Sequence, residues 1–349
     1  MIPIAKPVIG NEEINAVISV LESGMLAHGK FVEQFEASLK DYCGYKYAIA
    51  VSNGTAALHL SVLSLGKNKK IAVPDFTFGA TASSVKLSGG EPVFVDVDKK
   101  TFNIDPAQLE KVITSMDVAM PVSLFGQPYD VDEINKICSE NGVKIISDNA
   151  QSIGAEWNGK RNFNDDIAIL SFYPTKNITT TEGGAILTDD KNVAETCALL
   201  RNHGQKERYS YEFPGYNYRM TELEAAIGLA QLKKLDSFIE TRTKNAKILS
   251  ELIGKHVEIP FADKRCKHVY NQFTIKTDKR DMLAKNLKSN EIGYGIYYPS
   301  PLHSQKAFNS HVKCPVAEAL CKKVISLPIH PSVTEEDLNK IADVVKKSV

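Results

Sequence analysis

Lys176 stands in the stretch Ser171-Phe-Tyr-Pro-Thr-Lys176-Asn-Ile-Thr-Thr-Thr-Glu-Gly183-Gly184, directly after the apolar run Ile167-Ala-Ile-Leu170. A lysine held at the end of a buried strand loses solvation, which lowers its pKa and supplies free amine for attack on an aldehyde. That is Schiff-base chemistry. Among 42 lysines and arginines, a lysine beside a strand is ordinarily a solvated surface group, so its meaning depends on its company. Val51-Ser-Asn-Gly54-Thr55-Ala-Ala-Leu reads as a strand, a glycine turn and an immediate helix start. It would present unpaired N–H groups, a hydroxyl and the positive end of a helix dipole to one point, where a phosphate fits. Taken alone it is equally a turn with an N-cap. Asp148 closes the run Val143-Lys-Ile-Ile-Ser and would place a carboxylate at a strand's carboxyl edge. At about 4 Å and an effective dielectric near 20, it would attract a protonated ring nitrogen by roughly 4 kcal/mol. Its other readings are an N-cap or a metal ligand, but no second carboxylate or histidine neighbours it in sequence. Phe78, in Asp75-Phe-Thr-Phe78-Gly-Ala-Thr81, offers either an aromatic face to a flat ring or an ordinary core side chain.

An amine, an acid for a ring nitrogen, a phosphate cradle and an aromatic face together are the requirements of pyridoxal 5'-phosphate. They must be positioned by strands whose carboxyl ends share an edge. Apolar runs at Tyr47–Val51, Ile71–Pro74, Pro92–Asp96, Val118–Val122, Val143–Asp148, Ile167–Phe172 and Ala185–Thr188 alternate with amphipathic stretches such as Thr55–Leu65, Val131–Asn141 and Val193–Arg201. This alternation predicts an α/β architecture with a mostly parallel central sheet. Glu222–Leu252 reads as one long helix bridging to a smaller C-terminal α+β domain, with strands at Asn271–Lys276 and Ile325–Pro328 and helices at Arg280–Ser289 and Thr334–Lys347. The expected division is a large domain over 1–235 and a small one over 236–349. The segment before Val8 carries apolar residues without helical spacing and should pack against something.

Lysine plus arginine and aspartate plus glutamate number 42 each, and no basic block is available to grip nucleic acid. Six cysteines without paired spacing read as reduced thiols. With no signal-peptide core and no long apolar run, a cytoplasmic protein without membrane contact is expected, and no metal.

The sequence resembles the DegT/DnrJ/EryC1/StrS family of sugar aminotransferases, within the fold type I pyridoxal-phosphate superfamily. The likeness runs from Ile4-Ala-Lys-Pro7 and Ser23-Gly-Met-Leu-Ala-His-Gly29, through the segments above, to Ser326-Leu-Pro-Ile-His-Pro331. It implies that Lys176 forms the Schiff base and shuttles the proton, that Asp148 pairs with the pyridine nitrogen and that Gln151 meets the phenolic oxygen. Gly54, Thr55 and Ser171 would hold the phosphate and Phe78 would stack on the ring. Gly215-Tyr-Asn217-Tyr-Arg219-Met resembles the family's stretch in which the asparagine reaches a neighbouring subunit's phosphate. That implies a homodimer with shared sites, and Arg219 would clamp a substrate carboxylate. In Pro301-Leu-His303, His303 would contact the amino donor. Ser123 departs from the pattern, since relatives often carry histidine there.

The implied reaction moves an amino group from glutamate, released as 2-oxoglutarate, to a keto group on a nucleotide-linked sugar. This would serve amino-sugar or polysaccharide biosynthesis. The competing readings are a dehydratase or aromatizing synthase of the same family, an amino-acid aminotransferase and a non-enzymatic regulator. Lys176 argues against the dehydratase branch, where histidine replaces the lysine, and the missing basic patch argues against a DNA-contacting regulator. Neither the sugar, the nucleotide nor the ring carbon is encoded.

Overall fold

The computed structural model describes residues 1–349. Its centre is a seven-stranded sheet of β1 (Tyr47–Val51), β2 (Lys70–Pro74), β3 (Glu91–Val95), β4 (Val118–Ala119), β5 (Lys144–Asp148), β6 (Ile167–Ser171) and β7 (Gly184–Thr188). The spatial order is β1-β7-β6-β5-β4-β2-β3. Parallel pairing runs from β3 through β2, β4 and β5 to β6. β7 is antiparallel to both β6 and β1, so every strand except β7 shares one direction and their carboxyl ends open on one edge. Successive residues of each strand serve opposite faces: Ile145, Ala168, Leu170, Ala185 and Leu187 join one buried core, while Ile146, Ile167, Ile169 and Ile186 join the other. A sheet covered on both faces is why these strands read as unbroken apolar runs.

Two elements differ from expectation. The run Val118–Val122 pairs regularly only through Ala119, because Pro121 has no N–H to donate; contact resumes as a bridge between Val122 and Asp148. The single helix expected over Glu222–Leu252 is two, Glu222–Leu232 and Leu235–Ile253. At the break, Lys234 turns to Glu12 and Glu13, at 2.6 and 2.7 Å.

The second of these helices is a bridge in physical terms. Its Phe238 and Ile239 belong to a core of the central sheet, while Ala246, Leu249 and Ile253 belong to a separate core. That core also takes β8 (Phe273–Lys276) and β9 (Val324–Leu327), an antiparallel pair. Helices Arg280–Ser289 and Glu335–Ser348 complete it through Leu283, Leu287, Leu338 and Ile341. Thr334 caps the last helix in a reciprocal box with Asp337. The N-terminal segment is tied down here: Ile2 donates to the Glu291 carbonyl at 2.9 Å and accepts from Gly293 at 2.7 Å. No helix is long and apolar enough to cross a membrane.

Candidate active site

At the carboxyl edge of the sheet lies a cavity of about 500 Å³. Lys176, Asp148, Gly54, Thr55, Phe78, Gln151 and Ser171 all line it. They arrive from separate places: Asp148 and Ser171 end β5 and β6, Gly54 and Thr55 begin the helix Gly54–Ser64, and Lys176 sits in the turn after β6.

The Lys176 turn is closed by its own N–H on the Tyr173 carbonyl, at 2.8 Å. The side chain is half-buried. Burial brings its amine down to about 8, against a smaller opposing pull from Asp148. A lysine at that value is roughly one-fifth free amine at neutral to slightly basic pH, where an ordinary lysine is about a thousandth. Acylation of the apoprotein should therefore mark Lys176 ahead of surface lysines, with a midpoint near pH 8. Peptide mapping after labelling across pH would show this, and a midpoint above pH 10 would contradict the desolvation.

Asp148 is buried, and burial lifts its carboxyl above the ordinary range while Thr81, the Ala150 N–H and Lys176 draw it back. Thr81 Oγ1 donates to Oδ2 at 2.8 Å and Ala150 N donates to Oδ1 at 3.2 Å. The carboxylate is thus oriented by two donors yet faces a cavity.

At the helix start, Asn53 caps by accepting from Ala56 N at 2.8 Å, leaving the first N–H groups without intrahelical acceptors. The turn is pressed against its neighbours: a Cβ on Gly54 would stand 2.8 Å from Ser171 Cβ, and one on Gly184 would stand 2.6 Å from the Asn53 carbonyl carbon. Gly54→Ala must therefore move the helix start away from β6. It should weaken phosphate-anchored cofactor binding by about tenfold or more, at a stability cost of about 1–3 kcal/mol; absorbance titration of the apoprotein with pyridoxal phosphate measures the first and thermal melting the second.

Gln151 Oε1 accepts from Phe125 N at 2.8 Å, and its Nε2 donates to Tyr298 Oη at 3.3 Å. Phe78 is 61% exposed at the mouth, its ring centroid 6.3 Å from that of Tyr298.

Three other candidates are not among the lining residues. Asn217 is exposed and bridged to Asn202. Arg219 donates to Asn202 Oδ1 at 2.6 Å. His303 is turned to Asp75, with Nδ1 2.6 Å from Oδ2. Ser123 is buried and donates to Asn149 Oδ1 at 2.7 Å. Sequence reasoning did not single out Thr81, Tyr298 or Gly184. Thr81 had one local signal, its four-residue spacing from Thr77 at the start of the helix Gly79–Leu87, where the two hydroxyls meet at 3.2 Å.

A sequence profile of the DegT/DnrJ/EryC1/StrS aminotransferase family matches residues 7–346. A UDP-2-acetamido-2-deoxy-3-oxo-D-glucuronate aminotransferase of Pseudomonas aeruginosa is 39% identical over 329 residues, covering 92% of this chain and 91% of that protein. A pleiotropic regulatory protein of Geobacillus stearothermophilus is 37% identical over 345 residues, covering 95% and 93%. Among solved structures, S. venezuelae DesV in complex with a ketimine intermediate superposes with a TM-score of 0.93 at 32% identity, over 96% of this chain and 94% of that one. The match in sequence and the match in shape both run nearly end to end. The chain belongs to the DegT/DnrJ/EryC1/StrS aminotransferase family.

Proposed function

We propose that this chain moves an amino group from glutamate to a keto group on a nucleotide-linked sugar, with pyridoxal phosphate as cofactor. The observation that carries the reading is the meeting of a desolvated lysine amine and a buried carboxylate in one cavity, beside a helix start with free N–H groups. The residues fit the cofactor. Asp148 has the burial and the orienting donors suited to a cationic ring nitrogen, and its charge pulls on Lys176 against the effect of burial. A side chain at Gly54 would close the phosphate cradle.

Bound there, the cofactor supplies a carbonyl for an amine and an electron sink for a carbon acid. Asp148 holds the proton on the ring nitrogen. Lys176 Nζ, with its lowered pKa, would move the proton from the donor's α-carbon to the cofactor's aldehyde carbon in the first half of the reaction, and from that carbon to the sugar carbon in the second. Gly54, Thr55 and Ser171 would bind the phosphate, Gln151 would meet the phenolic oxygen and Phe78 would stack on the ring. Asn217 and Arg219 serve the site from a second copy of the chain, Asn217 at the phosphate and Arg219 at the donor's carboxylate; both stand outside their own chain's cavity. The division into a large cofactor-binding domain and a small one, drawn at 235/236, is supported by the separate C-terminal core, with Phe238 and Ile239 of the bridging helix still packed with the sheet. The six free cysteines favour a cytoplasmic setting.

The test is spectroscopic. Glutamate should bleach the yellow holoenzyme, and a keto-sugar nucleotide should restore the colour while gaining nitrogen-15 from labelled glutamate. Recovery with a keto acid but with no sugar nucleotide would overturn the proposal in favour of an amino-acid aminotransferase.

A further inference from the structure

We propose that Asp75 and His303 are positioning residues for the keto-sugar half of the reaction, latching the segment that carries Tyr297 and Tyr298 to the carboxyl end of β2. The proposal rests on the nucleotide-sugar reading above. Asp75 directly follows β2 and is fully buried. Its Oδ1 accepts from the His303 backbone N–H at 2.7 Å, its Oδ2 lies 2.6 Å from His303 Nδ1, and its carbonyl accepts from Leu302 N at 3.0 Å. One residue thus fixes both the backbone and the ring of the following segment. Earlier in that segment, the Tyr298 ring meets Phe76 edge-on at 5.9 Å and Phe78 at 6.3 Å, and its hydroxyl takes the Gln151 donor. Residues 75–78 and 298–303 therefore face each other, polar at one end and aromatic at the other.

Tyr297 and Tyr298 form part of the cavity wall, whereas Asp148 ends β5 and Lys176 sits in the turn after β6. Loosening the latch moves the wall and leaves the reacting groups in place. A nucleotide sugar is large enough to lie against that wall, and aromatic faces suit a sugar ring; glutamate is small enough to react without it. The fold does not depend on the latch alone, because Asp96 holds the same C-terminal stretch by accepting from Val316 N and Ala317 N, both at 2.9 Å.

Asp75, His303 and Cys314 bring ligating atoms within 4.8 Å of one another, which raises a metal site as the alternative. The 2.6 Å between Nδ1 and Oδ2 is the spacing of a shared proton. Two ligands on one tetrahedral zinc, with bonds of about 2.1 Å, stand roughly 3.4 Å apart.

The two half-reactions of the holoenzyme separate the outcomes. His303→Phe should raise KM for the keto-sugar nucleotide by about tenfold or more, with glutamate-driven bleaching close to wild type. His303→Asn, which keeps an N–H donor near the Nδ1 position, should restore most of the loss. Equal damage to both halves, no effect on either, or no rescue by asparagine would overturn the latch. A wild-type protein that cycles while His303→Phe matches it sinks the latch alone; a wild-type protein that glutamate never bleaches sinks the aminotransferase reading and the latch with it.

Discussion

Lys176→Ala should give a folded protein without the visible absorbance of a lysine-bound cofactor and without measurable turnover. Two contributions disappear together. The covalent hold on the aldehyde goes, and so does the group that moves the proton, worth about 10²–10⁴ in rate by itself. Pyridoxal phosphate should still bind, because the helix start at Gly54 and the carboxylate of Asp148 remain, so the spectrum should become that of a free aldehyde. The fold has little reason to suffer. A half-buried side chain leaves a hole that is partly solvent-filled, and removing a desolvated amine relieves a cost of burial. Melting of the apoprotein should therefore shift by only a few degrees. Turnover near the wild-type rate in this variant would end the assignment.

The parts of this site that could be read from sequence are those fixed by local physics. Asp148 and Lys176 were readable because β5 and β6, covered on both faces, leave apolar runs whose ends are visible. Gly54 was readable because a strand, a glycine turn and a helix start are consecutive. The reversed direction of β7 was not, since a buried strand shows the same apolar run whichever way it points. Thr81 reaches Asp148 across 67 residues and Tyr298 reaches Gln151 across 147, and nothing in a local pattern announces such partners. The same limit applied to His303, which the structure turns to Asp75 rather than into the cavity. The break at Lys233 and Lys234 was hidden because both flanking stretches have helical spacing, and the ion pairs of Lys234 lie with residues more than two hundred positions away.

Asp148→Asn should separate what the carboxylate does for the reaction from what it does to the fold. An amide cannot hold a proton on the ring nitrogen by charge, and an attraction of about 4 kcal/mol corresponds to roughly a thousandfold in rate; both half-reactions should fall together. Thr81→Val, which removes only an orienting hydrogen bond at 2.8 Å, should cost about tenfold. The apoprotein should respond in the opposite sense. A carboxyl whose pKa is raised by folding binds its proton more tightly in the folded state, so stability falls as pH rises through the carboxylate range. Asparagine carries no such penalty at neutral pH. It can still accept from Thr81, though its amide would oppose the Ala150 N–H that Oδ1 now satisfies, which offsets part of the gain by about 1 kcal/mol. The expected outcome is an apoprotein melting at or above the wild-type temperature at pH 7, with the difference vanishing in acid, and a holoenzyme that is nearly inert. Melting well below wild type together with ordinary turnover would mean that Asp148 is a structural cap, and that the protonated ring nitrogen is held by another group.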